Sequence, residues 1–550
     1  SILPRGAPPI GQTDQWLTAL PLASRPSAAT MLVIGFGGGV ALEGIPPSVR
    51  AIDVVELERE VVEANRRISG LRAVDPLADP RVKVVLNDAR NALRLTDKRY
   101  DLIVSQPSHP WTAGASHLFT REFLELAKGH LNEGGALLQW MSTGLVDAAL
   151  LKTLAATLAE TFEHVRLYQA AGSVLYFLAS DLPLDVERQI ARTGQPIRAN
   201  VLYFGYMGLN GVDDFAAALV LDEAGIREFA AGAPPSTDDR NRIATESRAL
   251  ANGLSASELM ALLAPHDPLL DPASLLHGEL QSELDFPYIA TRLLSQGQVE
   301  RATALGTVVP DPSLQALIRG LVAQRNGQGG AARDELRAAL RADPDNDDAR
   351  FALLRPLLAD LARGSASAEV AELARPLTGS AAAVVRGWGL AFAQDFRALA
   401  ALDDVLAASA VTDFWFPEAA RLRADWRIRV AGETRYARDA LRIIDRALLI
   451  RPEPELLLLR AEAASALRDA DALLESARYA AQLMRGELLA VEQGTYVVST
   501  AELELTRRRL AAWQAMLADS EVDVGRGRSV ARELERLRQM AAERMIGLPP

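Results

Sequence analysis

Met31-Leu32-Val33-Ile34-Gly35-Phe36-Gly37-Gly38-Gly39 joins an apolar run to a loop made almost wholly of glycine. The run predicts a buried strand, and the glycines let the chain leave it in a conformation closed to other residues and lie close against a ligand. Read as GxGxxG the loop fails, because Val40 takes the last glycine position. Read as GxGxG it suits a nucleoside site better than a dinucleotide fold, although a tight strand-to-helix turn has the same composition.

Around this loop, apolar and β-branched runs at residues 31–35, 51–57, 82–88, 100–106 and 136–141 alternate with helical stretches at 59–69 and 120–131, the second with Thr120 as its predicted N-cap. Such alternation predicts a parallel sheet covered by helices. Two further runs, 165–168 and 174–179, are separated by only five residues, too few for a parallel crossover, and read as an antiparallel hairpin. The expected fold is therefore α/β, a Rossmann-like, seven-stranded sheet similar to that of class I methyltransferases, followed by an all-α region. We expect three segments: 1–182 as the nucleoside-binding domain, 183–285 as a connector or lid containing Thr237-Asp238-Asp239-Arg240, and 286–550 as helical repeats.

The repeats rest on spacing. Residues 304–312 align with 338–346, placing Pro310 and Pro344 34 residues apart, Pro376 marks a weaker copy, and residues 441–454 resemble 335–347. The pattern resembles degenerate tetratricopeptide repeats, whose helix pairs stack into a solenoid with a concave face for a protein or peptide partner. An irregular helical bundle fits the same apolar stripe.

A chain of 550 residues, 49% hydrophobic and 24% charged, can bury a large core. Its net charge of −12 argues against nucleic acid as a partner. Without cysteine, thiolate chemistry, disulfides and cysteine metal sites are excluded, and the six histidines form no HxxxH pair, so no metal is expected. No apolar run reaches transmembrane length, and the chain opens on Ser1 rather than Met. The expected location is cytoplasmic, with a membrane tether only through a segment upstream of Ser1.

The candidate ligand-binding residues share one edge of the sheet. Gly35, Gly37 and Gly39 form the loop. Glu56 ends the second strand 21 residues after Gly35, where a carboxylate can accept from both ribose hydroxyls. Asp88, followed by Ala89, ends the third strand, where it can accept from an adenine amino group, or simply cap a helix. Asp101, at the start of the fourth strand, lies at the opposite edge. Gln139 and Trp140 are candidates for an acceptor wall, and His117 for a position near the pocket or at the approach to a helix.

The order of these features, together with Val54-Val55-Glu56-Leu57-Glu58, Asp79-Pro80-Arg81-Val82, Arg99-Tyr100-Asp101-Leu102-Ile103-Val104, Leu118-Phe119-Thr120-Arg121-Glu122-Phe123 and Gly134-Gly135, resembles the spermidine synthase family over about residues 11–182. It looks closest to a bacterial branch in which the domain follows a membrane region, and Thr237-Asp238-Asp239-Arg240 also resembles a segment of that branch. Gly11-Gln12-Thr13-Asp14-Gln15 is similar to the family's approach to the first strand, while the β-hairpin region before it is largely missing. The resemblance implies decarboxylated S-adenosylmethionine as co-substrate, transfer of its aminopropyl group to a small-molecule amine, and release of methylthioadenosine.

The family's catalytic segment follows the fourth strand, and here it reads Ser105-Gln106-Pro107-Ser108-His109-Pro110-Trp111. Gln106 stands where the resemblance places the acid that assists deprotonation, and His109 where a second carboxylate would hold the substrate's ammonium groups. Ser108 lies between them. A neutral amide can orient an amine but cannot take its proton, whereas an imidazole can, and would repel a polyamine once charged. Four readings stay open: His109 as base, an acceptor other than a polyamine, methyl transfer from S-adenosylmethionine itself, or a catalytically silent nucleoside-binding scaffold.

Overall fold

A computed structural model describes residues 15–69, 75–107, 114–169, 174–194, 209–246, 253–357, 368–430, 434–450, 454–492, 500–518 and 524–545. They fall into two compact units. One takes in the described residues up to Ile289 together with Gln296–Val308, and the other takes Ala290–Ser295 and the described residues from Val309 onward.

The first unit is built on one sheet. Strands β1 (Thr30–Ile34), β2 (Ala51–Glu56), β3 (Val82–Leu86), β4 (Tyr100–Ser105) and β5 (Leu131–Ser142) run parallel. Beyond β5 the sheet continues antiparallel through β7 (Val174–Ser180), β6 (His164–Tyr168) and β8 (Leu219–Leu221), in the order β3-β2-β1-β4-β5-β7-β6-β8. Among the described residues the sheet thus has eight strands instead of the expected seven. The eighth is three apolar residues beside β6, too short to show the period-two pattern that identifies a strand in sequence.

Helices α1 (Trp16–Ser24), α2 (Arg59–Arg67), α3 (Ala89–Arg94), α4 (Arg121–Gly129) and α5 (Ala148–Thr161) follow in chain order. Alternate strand residues point to opposite faces. Ile34, Ile103, Leu137 and Met141 pack in one core with Phe123 and Leu124 of α4 and Leu151 and Leu154 of α5. Met31, Val33, Leu102 and Leu138 are equally buried on the other face, and α1 packs on β4, β5 and β7. At the N-terminal edge, Asp101 accepts from Ala29 N at 2.7 Å, Thr30 N at 2.9 Å and Asn132 Nδ2 at 2.8 Å, joining the starts of β1, β4 and β5.

Much of the stretch 183–285 belongs to this same unit. It holds helices α6 (Val186–Thr193), α7 (Val212–Ala218), α8 (Glu223–Ala230), α9 (Arg242–Glu246) and α10 (Ala256–Leu263), of which α7 and α8 pack on β8. Arg301 is buried, paired with Asp267, and donates to the carbonyls of Ala217 and Leu219, which fastens the short strand.

The described residues of the second unit contain no strand. Helix Pro312–Arg325 packs on Gly329–Ala342, Phe416–Val430 on Thr434–Ile450, Pro454–Ala466 on Ala470–Glu492 and Thr500–Ala518 on Val524–Met545. Arg460 is fully buried and ties three helices together through Asp445, Ser476 and the Ala472 carbonyl. No described helix is long and apolar enough to cross a membrane.

Asp213, at the start of α7, is 7% exposed and accepts from Asp285 N at 2.7 Å. Burial pushes its carboxyl up to about 7, aided by the charges of Asp214 and Asp285 against the pull of the Asp285 amide. A carboxyl whose folded pKa is raised stabilises the fold when protonated, and that contribution is lost as pH rises from the unfolded value, about 4. Asp213→Asn keeps an acceptor for Asp285 N. Denaturant titrations across pH should show the variant gaining on the wild type between about pH 4 and 7 and the difference levelling off above; parallel stability curves would contradict this.

Candidate active site at the C-terminal edge of the sheet

At the C-terminal edge, β1 passes into the glycine loop. Gly35, Gly37 and Gly39 all have positive φ, at 90°, 53° and 71°. Gly35 is also the point of closest approach, since a Cβ there would stand 2.8 Å from the Gln106 carbonyl oxygen. The loop does not open a regular helix. Only the 3-10 turn Val40–Leu42 follows, and Gly44 with Pro46-Pro47 cuts off its extension. The loop therefore offers close backbone approach without a helix dipole behind it.

Glu56 ends β2 and is 8% exposed. Its Oε2 accepts from Phe36 N at 2.8 Å and its Oε1 from Glu58 N at 3.0 Å, so the acidic side chain and the glycine loop hold each other. Asn65 on α2, not singled out in the sequence, donates from Nδ2 to the Gly37 carbonyl at 2.8 Å and carries the loop from its outer side. Leu57, next to Glu56, is 57% exposed, an apolar surface beside the carboxylate. The signal for it was an aliphatic residue directly after a strand-end acid.

Asp88 lies beyond β3, two residues past the last paired residue Leu86, and is the N-cap of α3, accepting from Asn91 N at 3.0 Å. The capping alternative is thus realised, and one oxygen serves the helix. Ala89 begins α3 and is buried.

Gln106 follows β4. Its backbone N–H donates to Ile34 O at 3.0 Å, and its Nε2 to Gly35 O at 2.7 Å. The amide thus closes the gap between β1 and β4. Beside it, Ser105 on β4 and Gln139 on β5 are register partners, and both are fully buried. Among the described residues, Ser105 Oγ and Gln139 Oε1 have no hydrogen-bond partner. Buried polar atoms left unmatched call for a ligand or water. Trp140, next along β5, is half-buried. Ser108, His109, Pro110 and Trp111 lie outside the described residues.

Thr120 takes the N-cap position of α4 but makes no capping bond. Its hydroxyl donates to Asp238 Oδ1 at 2.7 Å, and His117 Nδ1 stands 3.8 Å from the same oxygen. Arg90 on α3 reaches both oxygens of Asp238, each at 2.8 Å. The segment around Asp238 is thereby brought to this edge from far along the chain. No cluster of three or more metal-ligating side chains occurs among the described residues.

Residues 12–172, which hold the loop, Glu56, Asp88 and Gln106, match the family described as the spermine/spermidine synthase domain. That stretch is a spermidine synthase-like domain. Over 189 residues the chain is 30% identical to polyamine aminopropyltransferase 1 of Pseudomonas aeruginosa, covering 32% of this chain and 66% of that protein. It is 31% identical over 164 residues to the polyamine aminopropyltransferase of Serratia proteamaculans, covering 30% of this chain and 57% of that one. The chain thus spans just under two thirds, or less, of the curated relatives it matches, and those relatives are transferases. Among solved structures, spermidine synthase from Thermotoga maritima is similar at 21% identity and a TM-score of 0.30, covering 46% of this chain and 74% of that one. The N-methyltransferase NodS of Bradyrhizobium japonicum, in complex with S-adenosyl-L-homocysteine, is similar at 18% identity and a TM-score of 0.24, covering 30% and 84%.

The synthase-like domain makes distinct demands on its glycines. Gly35→Ala meets both positive φ and the Gln106 carbonyl and should cost about 2–4 kcal/mol in denaturant unfolding. Gly37→Ala has open space within 4 Å and should cost only about 1–2 kcal/mol. Equal losses would show that the approach of β1 to β4 is not limiting.

Proposed function

We propose that the synthase-like domain transfers the aminopropyl group of decarboxylated S-adenosylmethionine to an amine, with neutral Gln106 where the family resemblance places a carboxylate. Glu56 carries the reading. Its carboxylate is buried at the end of β2 and bonded to the Phe36 amide of the glycine loop at 2.8 Å. Two carboxylate oxygens offer about four acceptor positions. The two not taken by Phe36 and Glu58 suit a pair of ribose hydroxyls. Leu57 gives a purine an apolar face, and Asp88, with Ala89 beside it, an acceptor for an exocyclic amino group.

In the reaction a nitrogen–carbon bond forms as the carbon–sulfur bond breaks. The sulfonium becomes the neutral thioether of methylthioadenosine, and the attacking nitrogen sheds a proton. In-line alignment supplies much of the acceleration. With Nε2 bound to Gly35 O, Gln106 keeps Oε1 to orient an amine N–H, but it takes no proton near neutral pH. His109 is the proposed base, with Ser108 beside it. Ser105 and Gln139 add a neutral, buried lining that disfavours a charged ammonium and so favours the reactive free amine. An acceptor less cationic than a polyamine fits this lining best.

The same neutral lining favours a second reading, methyl transfer from S-adenosylmethionine to a small molecule. The helical stretch 286–550 is read as a partner-binding repeat, supported by helices ending at Val308 and Ala342, 34 residues apart. A catalytically silent nucleoside-binding scaffold is the outcome to be tested against both transfer readings.

The chain should be incubated with decarboxylated or ordinary S-adenosylmethionine and mono-, di- and polyamines. Methylthioadenosine is the expected product; S-adenosylhomocysteine would replace aminopropyl transfer with methylation. Nucleoside binding without either product across a broad pH range would sink both enzyme readings. Gln106→Asp combined with His109→Asp should bring out activity on polyamines.

A further inference from the structure

Residues 234–241 reach the C-terminal edge of the sheet and are fastened there from four elements. Ser236, fully buried, donates its N–H to Thr157 Oγ1 on α5 at 2.9 Å, and its carbonyl accepts from Arg121 N at 2.9 Å. Asp238 N donates to Glu122 Oε2 at 2.9 Å. The Asp238 carboxylate then receives Thr120 Oγ1, both terminal nitrogens of Arg90 and, at 3.8 Å, His117 Nδ1. Thr120 and Glu122 belong to the Leu118-Phe119-Thr120-Arg121-Glu122-Phe123 motif, and both serve this one carboxylate or its own amide.

We propose that Asp238 is a positioning residue for the nucleoside side of the site, acting through Arg90 to fix the first turn of α3, which carries Asp88 and Ala89. The inference rests on the functional reading above. The Arg90–Asp238 pair joins residues 148 positions apart, and the Arg90 side chain is only 12% exposed. A paired guanidinium–carboxylate contact constrains orientation as well as distance, which apolar packing or a lysine would not do. Arg90 is two residues past Asp88, whose carboxylate caps α3 through Asn91 N while Ala92 N bonds to its carbonyl at 2.8 Å. A guanidinium held in one orientation therefore holds the turn from which Asp88 projects. The Arg90 hydrogen bonds, with that of Thr120 and against the cost of burial, also keep the Asp238 carboxyl below its ordinary value, so the clamp stays charged at neutral pH.

The test uses the full chain. Hydrogen exchange at the Asn91 and Ala92 amides, without ligand, reports the turn, and calorimetric titration with methylthioadenosine reports the site. Asp238→Asn and Arg90→Lys should each speed exchange at both amides and weaken methylthioadenosine binding by about tenfold, with the melting temperature little changed. The exchanged pair, Arg90→Asp with Asp238→Arg, should recover part of the loss, and Asp239→Asn should leave both readouts alone. Unchanged exchange at Asn91 and Ala92 in Asp238→Asn overturns the clamp, whether or not a nucleoside binds. Wild-type binding matched by Asp238→Asn overturns it as well. A wild-type chain that binds neither methylthioadenosine nor either adenosylmethionine overturns the functional reading instead, and exchange alone then decides the clamp.

Discussion

The backbone of β1 leaves the sheet at Gly35 with φ of 90°, close enough to the end of β4 that a Cβ would meet the Gln106 carbonyl at 2.8 Å. β1 lies between β2 and β4, where the strand order reverses, and a crevice opens beyond strand ends at such a point. The glycine lets the two strand ends close the floor of that crevice. Once they are this close, the identity of residue 106 matters to the loop as well as to chemistry. An amide can donate to the Gly35 carbonyl at 2.7 Å, a bond that an ionised carboxylate has no proton to make.

The site divides along this line. On the β2–β3 side, Glu56 accepts from the Phe36 amide and Asn65 donates to the Gly37 carbonyl, a built arrangement with acceptor capacity left over on Glu56 for a polar ligand. On the β4–β5 side, the described groups are neutral, and two of them, Ser105 Oγ and Gln139 Oε1, lack partners among the described residues although fully buried. One half therefore keeps acceptors for a ligand rich in hydroxyls, and the other suits a group that brings its own hydrogen-bond donors into a dry space.

The strands and the glycine loop were legible because they depend on local rules: apolar runs of strand length, and glycine where φ is positive. Glu56 was legible for the same reason, as an acid at a strand end. Asp88 showed the limit, since a strand-end acid and a helix cap look alike in sequence, and here the residue is a cap. Thr120 showed it again. Its position before α4 reads as a cap, yet its hydroxyl is drawn to Asp238, 118 residues away.

The sequence by itself determined the parallel core of the sheet, the glycine loop that follows β1 and the helical character of the later chain. Each follows from residues near one another along the chain. Tertiary structure alone decided that Gln106 is bonded to Gly35, that a three-residue strand extends the sheet beside β6, and that Asp238 reaches Arg90. These depend on which distant segments share a surface, and a hydrogen bond across 71 or 148 residues leaves no period or motif at either end.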